Sequence, residues 1–223
     1  MERVVTGLVE LDKKRYQVYL DEEFAFVLYK GEVRKYKIVV GKPLAQAAYQ
    51  ELVQEVLPKR AKLRAMNLLT KRPYTEKKLR QKLVEGKYPE DIIDIALAYV
   101  KSYGYIDDEA YARDYISYHM ASESPLRIRQ KLMEKGIDGD TINACLEEQD
   151  AEAMQKLQLR QIQQLAQKKN HGQKPSDQRE SAKVIQYLLR KGYPMSLIKV
   201  ALSGMHRSAQ NEGIILVIMH KTV

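Results

Sequence analysis

The sequence is poor in the residue types that mark several classes of protein. Its 223 residues include one cysteine, Cys145, two phenylalanines and no tryptophan. A single cysteine excludes a disulfide scaffold and any metal site built from several cysteines. The four histidines have no metal-ligand spacing, so the sequence predicts neither a metal site nor a bound cofactor.

A long apolar segment is also missing. No stretch approaches the ~18 consecutive apolar residues of a membrane-spanning helix, and the first residues lack the apolar core of a secretory signal. A Walker-type phosphate-binding loop is absent as well, because Gly41 and Lys42 are followed by Pro43. We therefore expect a cytoplasmic protein that does not contact a membrane.

Charge, by contrast, is abundant and unevenly distributed. The chain carries 38 basic and 29 acidic residues, for a net charge of +9. Residues 59–87 are strongly basic, residues 88–124 are acidic, and residues 151–223 are basic again. Such blocks favour one face for a polyanion and another for a second partner. The alternative is that basic helices simply neutralise acidic neighbours.

The N-terminal region has the pattern of a small sheet. Apolar and aromatic residues alternate along residues 3–39, most clearly in 15–20 and 24–29, which predicts an antiparallel meander of three or four strands. From Lys42 onward the period becomes helical. We expect Pro43 to open a helix that ends near Pro58.

An internal repeat follows the sheet. Residues 80–97 align without gaps with residues 129–146, and these align with residues 185–202. Eight of the 18 positions are identical between the first two copies, which is more than two unrelated amphipathic helices usually share. The first helix of each pair ends near a glycine, but Gly86 lies one position earlier than Gly136 and Gly192, so we expect a different corner there.

A preceding helix completes each copy as a three-helix unit. The predicted fold is therefore mainly α: tandem three-helix repeats in an elongated array, with a small N-terminal antiparallel β meander. The predicted boundaries are 1–58 for the meander and its helix, 59–106, 107–150 and 151–204 for the three repeats, and 205–223 for a tail. Within the tail, Ile214–Met219 predicts a strand that docks on the N-terminal sheet or pairs with another chain, the alternative being a poorly ordered, aggregation-prone segment. We expect a monomer, with a tail-mediated dimer as the alternative.

Two candidate chemical groups have a structural interpretation that we favour. Asp107, Asp108 and Glu109 could hold the metal of a nuclease, but acidic residues are also expected where a helix begins. Cys145 lies on an apolar helix face with Ile142, which is typical of a small core residue. The sequence therefore predicts no catalytic residue.

The basic residues form the candidate binding site. They lie on two helices of the first copy and recur on the second, so they could follow a repeating anion such as a phosphate backbone. The predicted binding residues are Lys62, Arg64, Lys71, Arg72, Lys77, Lys78, Arg80, Lys82, Arg127, Arg129 and Lys131. Tyr74, Tyr103 and Tyr105 lie nearby and either stack on bases or pack against the core.

Several segments resemble the RecX family of RecA regulators. Residues 68–83 resemble its LxxRxxTxxELxxKL opening, residues 104–112 its GYIDDxxYA segment, and residues 127–137 its RIxxELxxKGI segment. Lys78 and Lys131 depart from this pattern, because the family usually has Glu there. The resemblance covers roughly residues 1–204 and implies tandem three-helix repeats.

The resemblance also implies a function in DNA repair and the SOS response. Members of the family bind within the groove of the RecA–single-stranded DNA filament and suppress ATP hydrolysis, strand exchange and co-protease action. The expected partners are thus the RecA filament and single-stranded DNA, with duplex DNA as a further candidate, and the protein is not an enzyme. The alternatives are a general, sequence-independent nucleic-acid-binding repeat protein without a RecA partner and a metal-dependent nuclease.

Overall fold

The computed structural model describes residues 3–170 and 178–204. The chain divides into two compact units, one ending at Asp108 and the other beginning at Glu109. The strand predicted at Ile214–Met219 lies outside the described residues, as does its docking on the N-terminal sheet. In the described part of the chain, no helix is both long and apolar enough to cross a membrane.

The first unit begins with a four-stranded antiparallel sheet. Its strands are β1 (Arg3–Asp12), β2 (Arg15–Leu20), β3 (Glu23–Tyr29) and β4 (Pro43–Leu44), in the order β3-β2-β1-β4. Asp21 and Glu22 form the turn between β2 and β3, and both have positive φ angles, as a two-residue hairpin of the favoured twist requires. The meander predicted from the alternation is confirmed.

Two segments next to the sheet differ from the prediction. Helix α1 (Lys30–Lys35) lies within the stretch that we expected to be extended. Its start is stabilised because Glu32 Oε2 accepts a hydrogen bond from the backbone N–H of Tyr29 at 2.7 Å. Pro43 does not open a helix but pairs with Val4 at the sheet edge, where a missing N–H is tolerated.

A continuous helical run connects the sheet to the repeats. Helix α2 (Gln46–Glu51), a π-helical turn (Leu52–Val56) and helix α3 (Leu57–Leu69) follow one another without a break. The expectation that the helix ends near Pro58 is therefore wrong. The π-helical turn changes the hydrogen-bond spacing directly before Pro58, where proline has no N–H to donate.

The first three-helix copy shares its core with the sheet. Helices α4 (Glu76–Glu85) and α5 (Glu90–Ser102) complete this copy together with α3. Leu83 and Ile93, two of the aligned apolar positions, are fully buried. They belong to the same buried cluster as Val18 and Phe26 of the sheet, so the first unit has one continuous core.

The second unit contains the other two copies. One is formed by α6 (Asp108–His119), α7 (Pro125–Lys135) and α8 (Gly139–Glu147), and the other by α9 (Ala151–Lys169), α10 (Gln178–Arg190) and α11 (residues 195–204). The aligned residues Leu132, Ile142, Leu188 and Ile198 are all fully buried. The predicted three-helix repeats are confirmed.

Buried polar contacts join the second copy to the third. Gln161 donates a hydrogen bond to the carbonyl of Met120 at 2.7 Å and accepts one from the hydroxyl of Tyr193 at 3.0 Å. Burial raises the pKa of Tyr193 to about 12. The Ser124 hydroxyl donates to the carbonyl of Lys191 at 2.7 Å. These bonds satisfy polar groups that would otherwise be costly to bury.

The corners of the hairpins differ as the position of the glycines predicts. Gly136 and Gly192 have φ angles of 99° and 87°, the left-handed conformation that favours glycine. In the first copy Gly86 has a φ of −75°, and Lys87 adopts the left-handed conformation with a φ of 61°. The first corner therefore places a side chain where the other two copies have none.

Candidate nucleic-acid interface

The segment between α3 and α4 concentrates basic side chains. Lys71 and Arg72 follow the end of α3, and Lys77 and Lys78 lie in the first turn of α4. Thr75 begins α4, because its hydroxyl accepts a hydrogen bond from the Lys78 backbone N–H at 3.3 Å. Within residues 3–170 and 178–204, none of these four basic groups forms an ion pair with a carboxylate.

Three basic side chains of the first copy have neutral partners. The Arg72 guanidinium lies 4.6 Å from the centre of the Tyr74 ring, and the Lys62 ammonium lies 4.9 Å from that of Tyr99. Lys78 donates to Gln81 at 3.2 Å. Contacts with aromatic rings and amides orient a cation without cancelling its charge. These groups are therefore still able to attract an anion, as is Arg64, which is exposed on α3.

Arg80 and Lys82, further along α4, are neutralised. The Arg80 guanidinium forms ion pairs with Glu90 and, at 2.5 Å, with Asp94, both on α5. The hydrogen bond from Arg80 to Asp94 and the nearby negative charges raise the pKa of the arginine. Lys82 pairs with Glu85 at 2.6 Å. These two side chains thus differ from the other predicted residues of the first copy in having carboxylate partners.

The second copy treats the equivalent side chains differently. Arg129 aligns with Arg80 but donates to the neutral Asn143 Oδ1 at 3.2 Å. Lys131 pairs with Glu123 at 2.7 Å. Arg127 is exposed on α7 and has no carboxylate partner among the described residues. Two of the three predicted basic residues on α7 therefore keep an uncompensated charge.

The three candidate tyrosines do not share one environment. Tyr74 is half-buried beneath Arg72, whereas Tyr103 and Tyr105 are 60% and 52% exposed. The rings of Tyr103 and Tyr105 are nearly parallel, with centroids 5.8 Å apart. Gly104, with a φ of 67°, forms the turn that brings them together. Stacking on bases stays a prediction for this exposed pair.

The sequence alone did not show which of the basic side chains form an ion pair with a carboxylate. The acidic residues that neutralise Arg80 lie 10 and 14 positions further along the chain, on a different helix. Their equivalents in the second copy are Gly139 and Asn143. The repeat alignment contains this difference, but its meaning depends on the packing of α4 against α5 and of α7 against α8. Arg60 is a similar case, since it pairs with Glu32.

The acidic residues near the start of α6 have structural roles. Asp108 Oδ1 accepts a hydrogen bond from the Glu76 backbone N–H at 2.9 Å, so it helps to cap α4. Burial raises the pKa of Asp108. Glu109 forms an ion pair with Arg113. Among the described residues, no group of three or more His, Cys, Asp or Glu side chains is arranged to hold a metal ion.

Cys145 is a core residue, as predicted. It is fully buried in a cluster that includes Ile116, Ile128 and Leu132. Burial raises the pKa of its thiol, which keeps the sulfur protonated and unreactive. 

Comparisons with known proteins agree on one family. Family models described as the first, second and third three-helix domains of RecX match residues 61–99, 107–146 and 149–202. The regulatory protein RecX of Caldanaerobacter subterraneus subsp. tengcongensis is 30% identical over 202 residues, which cover 90% of this chain and 98% of the relative. That of Clostridium botulinum (strain Eklund 17B / Type B) is 31% identical over 191 residues, covering 84% and 88%.

Solved structures lead to the same comparison. A crystal structure of regulatory protein RecX superposes with a TM-score of 0.61 at 25% identity and covers 89% of this chain and 98% of that chain. The crystal structure of RecX from Lactobacillus salivarius gives a TM-score of 0.59 at 25% identity, covering 67% and 97%. The likeness therefore extends over the repeats and not only over short motifs.

Proposed function

Because the chain belongs to the RecX family of regulatory proteins, we propose that it regulates the RecA recombinase. It binds in the groove of the RecA–single-stranded DNA filament and inhibits ATP hydrolysis, strand exchange and co-protease activity. This role belongs to a regulator rather than an enzyme, and we propose that the protein exercises it in the cytoplasm as a monomer. The family resemblance of the GYIDD and KGI segments supports RecA as the partner.

The observation that carries the DNA part of the proposal is the set of basic groups without a carboxylate partner. They lie on the α3–α4 segment and on α7, and four of them already contact neutral side chains. Each phosphate that such a group neutralises releases a condensed counterion, so binding is driven by salt-dependent electrostatics and is indifferent to base sequence. Three-helix repeats present such groups at recurring positions, which suits a partner with a repeating backbone.

Inhibition needs no chemical step by this chain. A protein that occupies the filament groove takes the space that an incoming duplex needs, which blocks strand exchange. Binding across the groove also changes the stability of the filament, and ATP hydrolysis by RecA depends on that filament. The residues required are therefore those that bind and position the protein, and the proposal assigns no catalytic residue.

The test is RecA ATPase activity on single-stranded DNA, titrated with this protein at substoichiometric ratios. We expect the ATPase rate to fall while the protein is still present at well below one molecule per RecA subunit. The variant K77A/K78A should weaken inhibition. It should also flatten the slope of log K against log salt for binding to single-stranded DNA by roughly 1.4, because each of the two lost phosphate contacts contributes ~0.7. R80A/K82A is the matched control, because it removes two positive charges from the same helix that are already neutralised.

Other outcomes would contradict the proposal. Tight binding to DNA without any effect on RecA would identify a general nucleic-acid-binding protein. Cleavage of DNA that a chelator abolishes would identify a nuclease. Equal losses in K77A/K78A and R80A/K82A would show that the ion pairs of α4 do not decide which side chains contact DNA.

A further inference from the structure

We propose that the surface between α7 and α8 holds a backbone phosphate of nucleic acid through Arg129, and that Gly139 and Asn143 are the residues that keep Arg129 available for it. The matching surface between α4 and α5 does not bind phosphate, although it presents the same arginine. This inference rests on the proposed function, because it specifies which repeat contacts the nucleic acid. Gly139 and Asn143 act through Arg129 and are positioning residues.

Two arginines occupy the same place on two copies of one motif. Arg80 and Arg129 both begin the sequence Arg-Gln-Lys-Leu, whose leucine is fully buried in each copy. Because the buried leucine fixes the orientation of the helix, each arginine points towards the following helix of its hairpin. Arg80 reaches Glu90 and Asp94 there, and Arg129 reaches Asn143.

The charge around each arginine follows from its neighbours. In the first copy, one positive and two negative groups give the surface a local charge of −1. In the second copy, Gly139 and Asn143 replace the two carboxylates, so the contact partner of Arg129 is neutral and its positive charge is not paired. A phosphate is repelled by the first arrangement and attracted by the second. The two carboxylates that contact the arginine of the first copy thus have neutral counterparts in the second, and this difference in contact holds although the second copy has Asp138 where the first has Pro89.

The geometry in the second copy also prepares the guanidinium for an anion. The hydrogen bond from Arg129 Nε to Asn143 Oδ1, at 3.2 Å, fixes one edge of the planar group. Its Nη2 lies beside Gly139, where an added Cβ would be 3.0 Å from that nitrogen. An arginine held through Nε presents its remaining N–H groups as a fork, which suits the oxygens of a phosphate.

The two acidic residues beside Gly139 do not pair with Arg129. Both oxygens of Asp138 are used within α8, since Oδ1 accepts from the Thr141 N–H at 2.8 Å and Oδ2 from the Thr141 hydroxyl at 2.7 Å. In the part of the chain that the structure describes, neither Asp138 nor Asp140 forms an ion pair with Arg129. The contrast with the double ion pair of Arg80 is therefore one of contact and not only of composition.

The equivalent surface of the third copy also carries a positive charge, but from a residue at a different position. The positions of Arg129, Gly139 and Asn143 are occupied there by Ile185, Met195 and Lys199. Lys199, which is exposed on α11, supplies this charge. The acidic pair is thus confined to the first copy, which supports a phosphate-binding role for this position in the second unit.

The test transplants the acidic pair. Binding of a fluorescently labelled oligothymidine to the full chain is measured by anisotropy over about 50–200 mM salt. We expect G139E/N143D to weaken binding about five- to tenfold at low salt and to flatten the salt slope by ~0.7, the value for one lost phosphate contact. R129Q should have the same effect. The matched comparison is G139Q, which adds a side chain of the same size as G139E without the charge and should therefore lose clearly less affinity than G139E/N143D.

The reverse exchange tests the first copy. E90Q/D94N removes both carboxylates around Arg80 without changing their size, and should tighten binding about threefold and steepen the slope by ~0.7. The inference is overturned if wild type binds but G139E/N143D binds equally well, or if G139Q weakens binding as much as the charged variant. A wild-type protein that binds no single-stranded DNA would instead refute the proposed function. Circular dichroism melting of each variant verifies that these surface changes leave the fold intact.

Discussion

The hairpins α4–α5 and α7–α8 show how far two copies of one motif can diverge while keeping one fold. Their inner faces are equivalent, since Leu83 and Ile93 of the first and Leu132 and Ile142 of the second are all fully buried. Their outer faces differ in the charge around the shared arginine and in the corner between the helices. Packing constrains the inner positions because changes of volume are costly there, whereas outer positions can change sign with little effect on stability.

The corners illustrate the same freedom. The first hairpin turns through Gly86 and Lys87, and the second through the same two residue types in reverse order, Lys135 and Gly136. In the first, a Cβ on Gly86 would lie 3.0 Å from Cε2 of the Tyr88 ring, so the glycine makes room for that ring. The lysine is consequently displaced into the left-handed position that glycine occupies in the second hairpin.

The largest expected effect tests whether the two inner faces behave as separate cores. Leu83→Ala and Leu132→Ala should each lower the free energy of unfolding by about 2–5 kcal/mol, because each removes a fully buried side chain. Only Leu83 belongs to the cluster that contains the sheet residue Val18. Hydrogen exchange should therefore accelerate in the sheet for L83A and not for L132A.

A conservative pair of variants controls this experiment. Leu83→Met and Leu132→Met keep nearly the same volume and should cost less than about 1.5 kcal/mol. Equal acceleration of sheet exchange in L83A and L132A would contradict the division into separate cores.

The next effect concerns the start of α7. The Ser124 hydroxyl accepts from the Arg127 backbone N–H at 3.3 Å and donates to the Lys191 carbonyl at 2.7 Å. Ser124→Ala removes a helix cap and leaves a carbonyl without this donor, so we expect a loss of about 1–2 kcal/mol in urea unfolding. Ser124→Thr, which keeps the hydroxyl, is the control and should recover part of the loss. No measurable change in S124A would show that water replaces both bonds.

The third effect should have opposite signs in the two corners. Lys87→Gly should raise the free energy of unfolding by up to about 1 kcal/mol, because glycine adopts the left-handed conformation without strain. Gly136→Ala should lower it by about 1 kcal/mol for the converse reason. Thermal melts of both variants measure the difference. If the flexibility of the unfolded chain outweighed backbone strain, both signs would be reversed, with K87G destabilising and G136A stabilising the protein.

The sequence predicts the repeated part of the fold well because the signal is written three times. Aligned apolar positions, glycine corners and the change of period after the sheet all point to the same architecture. The segments that were predicted incorrectly lack such repetition. Helix α1 depends on Glu32 reaching the Tyr29 N–H, and β4 is only two residues long and exists because Val4 pairs with Pro43.

The candidate site could be predicted only as a set of basic residues. Counting charge along the chain identifies where cations are concentrated, but not whether a carboxylate reaches each of them in space. Arg80 and Arg129 have nearly the same local sequence, and the difference between them lies on the following helix. The partner of a long side chain depends on how the helices pack against each other, and composition gives no information about that packing.

The smallest effect concerns pH and again separates the two copies. In the second copy, burial of the Glu123 carboxylate opposes ionisation, but the hydrogen bond and charge of Lys131 and the nearby His119 outweigh it, so the pKa of Glu123 is lowered. A carboxyl with a lower pKa in the folded state contributes stability above its unfolded pKa of about 4.3 and loses it as the pH falls through the folded pKa. We therefore expect Glu123→Gln to cost about 1 kcal/mol or less at pH 7, and the difference from wild type to shrink as the pH approaches 3.

The exposed pair of Lys82 and Glu85 in the first copy provides the control. Glu85→Gln breaks a pair that solvent screens, so it should change the free energy of unfolding by less than about 0.5 kcal/mol at pH 7. Urea unfolding from pH 3 to pH 7 measures both variants. A difference between wild type and E123Q that grows towards low pH would contradict the prediction that the ionised Glu123 carboxylate stabilises the fold.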